Sequence, residues 1–240
     1  MPIRLRARRG DADGGGDPVR SSTLRQAVSI SLATGAYGIS VGALAVAAGL
    51  SVAQACTLSL LMFTGGSQFA FAGVSAAGGS GVAAAATAGL LGVRNGFYGL
   101  SLVRLLAPRS AWRRVAAAHV TIDESTAVAL GRLATSPERL DVARFGFWAT
   151  GLGVFAFWNL ATLAGALLGN ALGDPRRYGL DAAAAAAFLA LLWPRLRGAR
   201  PLAVAATSML LALALVPVVP AGVPVLGAVV VALVIGWRTQ

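Results

Sequence analysis

Eight apolar runs, separated by charges, prolines and glycine clusters, constrain this chain more than any other feature: 24–49, 55–77, 82–106, 115–132, 145–171, 182–193, 201–217 and 222–237. Crossing a hydrocarbon core of about 30 Å takes roughly 20 helical residues, and most of the runs are that long. The run 182–193 is short enough to be re-entrant, and the last two are slightly short. The chain is 57% hydrophobic and 12% charged, with a mean hydropathy of +0.73. That balance leaves too little polar surface to cover a water-soluble fold of 240 residues. The expected fold is all-α and integral to the membrane, a polytopic bundle of about eight (seven or eight) transmembrane segments, some broken or re-entrant near the midplane.

The net charge of +11 comes entirely from arginine, because the sequence contains no lysine. These arginines flank apolar runs instead of forming one patch, which argues against nucleic acid as a partner and for a lipid bilayer. With eight spans and a cytoplasmic N-terminus, thirteen arginines fall inside: 4, 6, 8, 9, 20, 25, 132, 139, 144, 195, 197, 200 and 238. Six fall outside (104, 109, 113, 114, 176 and 177), and Arg94 lies within a span. The positive-inside rule supports this arrangement, although Arg109, Arg113 and Arg114 fit it poorly. If an earlier segment dips in and returns, the count changes. Residues 1–22 read as a disordered basic cytoplasmic tail, not a signal peptide, since no apolar stretch follows the basic start. Residues 23–240 read as a single transmembrane transport domain, with Thr23 and Gln26 as a capping box at the first helix start. Cys56 stands alone and reads as a small packing residue.

Small residues recur at helix-packing spacing in Gly35/Gly38/Gly42, Gly92/Gly96 and Gly165/Gly169/Gly173, where backbones can approach closely in lipid. The three tyrosines begin the similar tetrapeptides Tyr37-Gly-Ile-Ser, Tyr98-Gly-Leu-Ser and Tyr178-Gly-Leu-Asp. This is a faint hint of duplication, and in a sequence so rich in Gly and Leu chance accounts for it better.

Polar residues stand at the centres of four runs. Gly65-Gly66-Ser67-Gln68 occupies the middle of the second, where paired glycines weaken a helix and freed backbone groups need a partner or a wet cavity. A transporter uses such a break as a binding site, whereas a packed bundle uses it as a tight crossing with Gln68 bonded across it. Arg94-Asn95 lies at the centre of the third. A cation at that depth costs about 2.5–3.5 kcal/mol on insertion scales, so it should face inward to an internal acid or a substrate carboxylate, the alternative being two half-helices with Arg94 snorkelling to an interface. The fourth run carries His119, Asp123 and Glu124. On a continuous helix, His119, Asp123 and Thr126 share a face while Glu124 points about 100° away from Asp123, which suits proton transfer or a pair with Arg94. The alternative is an interfacial helix with solvated acids. Asn159 and Thr162 lie in the fifth run, as contacts to another helix or to solute. Asp174-Pro175 opens a loop, and Asp181 caps the Ala-rich helix expected after it.

Enzyme readings fail on geometry. Ser125 lies off the His119/Asp123 face, so no local triad forms, and His119 is the only histidine, which leaves a metal site short of ligands. Neither catalysis, a metal nor a cofactor is expected.

Taken together, Tyr37-Gly-Ile-Ser-Val-Gly, Phe63-Thr-Gly-Gly-Ser-Gln-Phe, Arg94-Asn-Gly-Phe-Tyr-Gly, Asp123-Glu-Ser-Thr-Ala, Phe157-Trp-Asn-Leu-Ala-Thr and Asp174-Pro through Asp181 resemble the AzlC family. They run in order over about residues 30–200. The resemblance implies the large subunit of a bacterial branched-chain amino-acid exporter. Such a permease moves leucine, isoleucine, valine and often methionine out of the cell at the expense of the proton gradient, with a small four-span AzlD-type partner. On this expectation Gly65, Gly66, Ser67, Gln68, Arg94, Asn95 and Asn159 bind an apolar amino acid, with Phe69 and Phe97 near its side chain. Asp123, Glu124 or His119 carries the proton, and the protein sits in the cytoplasmic membrane. The competing expectation is a non-transporting scaffold whose mid-span polar groups only join helices.

Overall fold

The structure, a computed structural model, describes residues 17–107, 110–172 and 196–238, together with 186, 189, 192 and 193. Its described elements are helices throughout: α1 (Pro18–Ala47), α2 (Val52–Leu61), α3 (Gly65–Ala76), α4 (Gly81–Leu106), α5 (Ala111–His119), α6 (Asp123–Thr135), α7 (Leu140–Leu172), α8 (Ala199–Leu215) and α9 (Val223–Arg238). Two of them, α1 and α7, are long and apolar enough to cross a membrane by length and composition. The first sixteen residues of the expected tail, the loop 173–181 and most of the run 182–193 lie outside the described residues.

The first helix starts earlier than the Thr23/Gln26 pattern suggests. Pro18 stands at its first position, where a missing N–H costs nothing, and Asp17 caps it by accepting from the Val19 N–H at 3.0 Å. Thr23 is therefore interior and buried, its hydroxyl donating to the Val19 carbonyl at 2.7 Å. Residues 18–22, expected in the tail, are helix.

Helices α1 and α7 run parallel along their length. Contacts advance in step on both chains: Thr23 meets Gly146, Ser31 meets Gly153, Gly35 meets Phe157, and Ala43 meets Gly169. Glycine makes the approach possible. A methyl at Gly35 would stand 2.6 Å from the Phe157 Cβ, and one at Gly38 would stand 2.5 Å from the Trp158 carbonyl oxygen. Methyls at Gly42 and Gly165 would overlap the carbonyls of Thr162 and Ile39. The expected contact face is thus real on these two helices. Gly92 and Gly96 differ: Gly96 has open space around it, and Gly92 meets only the Ser67 hydroxyl.

The run 55–77 does not make one through-going helix. It breaks at Met62, Phe63 and Thr64, three residues before the expected position, and α3 begins at the glycine pair. The two halves fold back on each other, since Gln68 of α3 donates to the carbonyls of Ser59 in α2 and of Met62 just after it. Both ends of this hairpin lie at the same end of the bundle. Ala55 packs with Ala45 and Ala166 near the ends of α1 and α7. The start of α4 lies there too, because α4 runs antiparallel to α7. Its Leu105 carbonyl accepts from Arg144 at 2.6 Å near the start of α7, and Arg94 shares a pocket with Val154 and Trp158 farther along.

The run 115–132 is also a hairpin, broken at Val120, Thr121 and Ile122. Ala117 and Ala129 join one cluster with Leu105, Ala143 and Phe147, which a straight helix, with its rise of about 1.5 Å per residue, would keep well apart. Farther on, Arg132 donates to Gln26 at 2.8 Å, so the chain has returned to the end where α1 starts. The α2–α3 and α5–α6 hairpins therefore enter from opposite ends, and their tips meet in the middle, where the rings of Phe63 and His119 are 6.1 Å apart.

This arrangement corrects the expected distribution of charge. Arg104, Arg113 and Arg114 lie at the same end as Arg20, Arg25, Arg132, Arg139 and Arg144, because α4 ends and α5 begins there. The ends of α1 and α3 and the start of α4 carry no charged residue.

Candidate functional site

Each tip ends a hairpin's first helix and starts its second, so the positive ends of α3 and α6 are both directed to the centre of the bundle. They are finished differently. Thr64 precedes α3 with extended backbone and gives no side-chain cap. At α6, Ser125 accepts from the Ile122 N–H at 3.0 Å and donates to the Val120 carbonyl at 2.8 Å, while Asp123 and Glu124 occupy the first turn. The α6 end thus meets its own acids, while the α3 end keeps its charge for a neighbour.

Between the tips is a cavity of about 140 Å³ lined by residues of α1, α3, α4, α6, α7 and both breaks. Its polar lining is Thr34, Tyr37, Thr64, Arg94, Asn95, Asp123 and Glu124 with the backbone of Gly65 and Gly66, and its apolar lining is Phe63, Phe69, Ile122, Val154 and Trp158. Since a cavity of about 150 Å³ accommodates benzene, a small organic molecule fits here.

Arg94 donates to Asp123 at 3.0 Å, both side chains about one-third exposed, at 34% and 30%. The guanidinium also lies against Gly66, where a methyl would come 3.3 Å from it. Its Nε is buried without a hydrogen-bond partner, as is the Asn95 Oδ1. Glu124 receives a long contact of 3.5 Å from the Thr34 hydroxyl. One cation, two carboxylates and an open helix N-terminus therefore face one small space with an aromatic wall.

The structure brings Gly65, Gly66, Arg94, Asn95, Asp123 and Glu124 together in this cavity. The others lie elsewhere. Gln68 is fully buried away from it, accepting from the Trp158 indole at 2.8 Å and donating to Met62 at 2.6 Å. It thereby adds a second donor to a carbonyl at the break that also accepts from the Thr64 N–H at 2.8 Å. Ser67 is buried toward Gly92. Asn159 donates to Phe155 one turn back at 2.8 Å, and its neighbour Thr162 makes the bond between helices, accepting from Ser59 at 3.4 Å. His119 meets the Phe155 ring edge-on at 5.4 Å and the Phe63 ring at a tilt. The shared face of His119 and Asp123 does not exist, because the break separates them, and Asp123 and Glu124 reach the cavity together as the first two residues of α6. Phe97 is 67% exposed and outside the cavity. Thr34 and Tyr37 of α1 were missed; only the Tyr37-Gly-Ile-Ser string marked that helix.

Paired half-helices around a charged central cavity define a helical protein built on lines used by solute-moving membrane proteins. The model of the family described as AzlC protein matches residues 29–172, a stretch that takes in every residue lining the cavity, and the chain belongs to that family. The family is membrane-associated, is tied to branched-chain amino-acid transport and works with a small AzlD partner. No curated protein and no solved structure matches the chain.

Proposed function

We propose that this chain is the large subunit of a proton-coupled exporter of small apolar amino acids, leucine, isoleucine and valine first, and methionine as a longer guest. The observation that carries the reading is the composition of the cavity, which has a complement for every part of such a zwitterion. Arg94, Asn95 and the uncapped start of α3 at Gly65 and Gly66 receive the carboxylate. Glu124 receives the ammonium group, and Phe63, Phe69, Ile122, Val154 and Trp158 surround the aliphatic side chain. Asp123 carries the coupling proton, since a substrate carboxylate that takes its place on Arg94 frees it to do so. Solute moves without covalent chemistry.

In this reading α1, α4 and α7 cross the cytoplasmic membrane, and the two hairpins are re-entrant from opposite faces. At about 1.5 Å per residue, the 26 residues of α4 are long enough to cross. The arginine-bearing end is cytoplasmic by the positive-inside rule, and the N-terminus with it. Loop 107–114, a misfit when every run is a span, then fits. A small four-span subunit completes the exporter.

The test is efflux of labelled leucine from loaded vesicles containing this chain, alone and with its small partner. Efflux that depends on the chain and is driven by a proton gradient supports the reading. Absence of efflux in both preparations, with the protein folded, sinks it in favour of a scaffold.

A further inference from the structure

The two hairpins follow one plan. Their first helices have 10 and 9 residues, their second helices 12 and 13. Each breaks over three residues, at 62–64 and 120–122, and restarts after an extended residue, Thr64 at φ −155° and Ile122 at φ −129°. Each carries a fully buried serine at the third position of the second helix, Ser67 and Ser125. Each second helix packs on the long helix that comes next, α3 on α4 and α6 on α7. Each hairpin also comes after a long helix bearing the same string, Tyr37-Gly-Ile-Ser in α1 and Tyr98-Gly-Leu-Ser in α4. The residues three before these tyrosines, Thr34 and Asn95, both line the cavity. The copies enter from opposite ends, so the plan is inverted.

They are not in the same state. Ser125 closes its tip by bonding Ile122 and Val120, whereas the buried Ser67 hydroxyl has no partner. The first tip is held by Gln68 and Trp158 instead.

We propose that residues 18–76 and 81–135 are an inverted repeat whose two tips are the two gates of the central cavity, α2–α3 controlling the uncharged end and α5–α6 the arginine-bearing end. Halves of like construction can exchange arrangements at small cost, so the state seen here has a counterpart with the roles reversed. In that counterpart Ser67 bonds its own tip backbone as Ser125 does here, and Ser125 lets go. This inference rests on reading the cavity as a transport site, and the gates are tested separately from the cargo.

Two engineered disulfides separate the gates, each in a Cys56→Ala background. Ser59→Cys with Thr162→Cys, whose hydroxyl oxygens are 3.4 Å apart, ties α2 to α7. Val120→Cys with Gly151→Cys ties the second tip to α7, a methyl at Gly151 lying 3.0 Å from the Val120 Cβ. Should either pair fold poorly when reduced, Ala55→Cys with Ala166→Cys and Val128→Cys with Gly146→Cys replace them. The reporter is Tyr37→Cys in the cavity wall, probed with a membrane-impermeant maleimide in vesicles of each orientation. With the first disulfide closed the reporter reacts only from the arginine-bearing side. With the second closed it reacts only from the opposite side, and reduction restores both. Reaction from the same side with either disulfide, or from both sides with either, overturns the proposal. A switch of sides in these variants together with no leucine efflux from the natural chain leaves the gates standing and sinks the cargo.

Discussion

Arg94 and Asp123 face each other across 3.0 Å, although one lies in the middle of the continuous helix α4 and the other opens α6 after a break. The pair joins two parts of the bundle that have no sequence proximity, at the wall of the central cavity. Arg94→Gln removes the cation from beside two carboxylates, and Asp123→Asn removes the carboxylate to which Arg94 is bonded. Each is expected to lower thermal stability by about 1–3 kcal/mol, less than for a fully buried pair because both groups are one-third exposed. The double variant Arg94→Gln/Asp123→Asn is expected to be more stable than either single one in detergent melts. Leucine efflux is expected to fall at least about tenfold in Arg94→Gln, as for the loss of a charge-assisted hydrogen bond of roughly 1.5–3 kcal/mol. Unchanged efflux in that variant would remove Arg94 from the site.

Gln68 holds the first break together and does not face the cavity. Gln68→Leu strands the buried Trp158 indole N–H and leaves the Met62 carbonyl with the Thr64 N–H alone, at a cost of about 1–3 kcal/mol. Melting temperature should drop sharply while KM for leucine in the folded fraction stays near the wild-type value. A raised KM with normal stability would give Gln68 a substrate contact instead.

The glycines of the chain separate into two groups by what surrounds them. Gly42→Ala and Gly165→Ala push a methyl into the backbone of the partner helix, and each is expected to destabilise by about 1–3 kcal/mol or more. Gly89→Ala, on α4 with open space around it, is expected to be neutral or stabilising by roughly 0.4–1 kcal/mol. Size-exclusion profiles after graded heating check the contrast, and equal behaviour of the three would refute the close packing.

Asp17 both caps α1 and pairs with Arg139, just ahead of α7, and that pair holds its carboxyl below the ordinary value of 3.8. A depressed pKa in the folded state means that the contribution to stability is fully present above the ordinary value and is lost as pH falls through the depressed one. The melting difference between the natural protein and Asp17→Asn should therefore be flat from neutral pH down to about 5, and shrink below about 4. A difference that grows on acidification would show the sign to be wrong.

Helix positions along 24–106 were largely legible from apolar runs, and so were the glycine seam of α1 and the central place of Arg94. Direction was not. A run of apolar residues has the same signature whether it crosses or turns back, and the turn at 62–64 contains no proline or glycine of its own. The arginines near 109–114 carried the missing information, since only a fold-back ahead of α4 puts Arg104, Arg113 and Arg114 beside Arg144. The fourth run misled in another way. A face count assumes an unbroken helix, and the break at 120–122 removes His119 from the face while moving Glu124 onto the cavity beside Asp123. Gln68 looked like a ligand because a buried amide at mid-depth needs partners, and the break itself supplies them.

Two short hairpins that never leave the end by which they enter also affect how the protein is made. Between Arg25 and Arg94 there is no charged residue at all, and the next charges after α4 are at the end where the chain began. In the proposed membrane arrangement the insertion machinery therefore has no ionised loop to carry across the bilayer while this stretch emerges. The α2–α3 hairpin can slip in sideways once α1 and α4 provide its walls, and its position is set by those walls and not by a topogenic signal of its own.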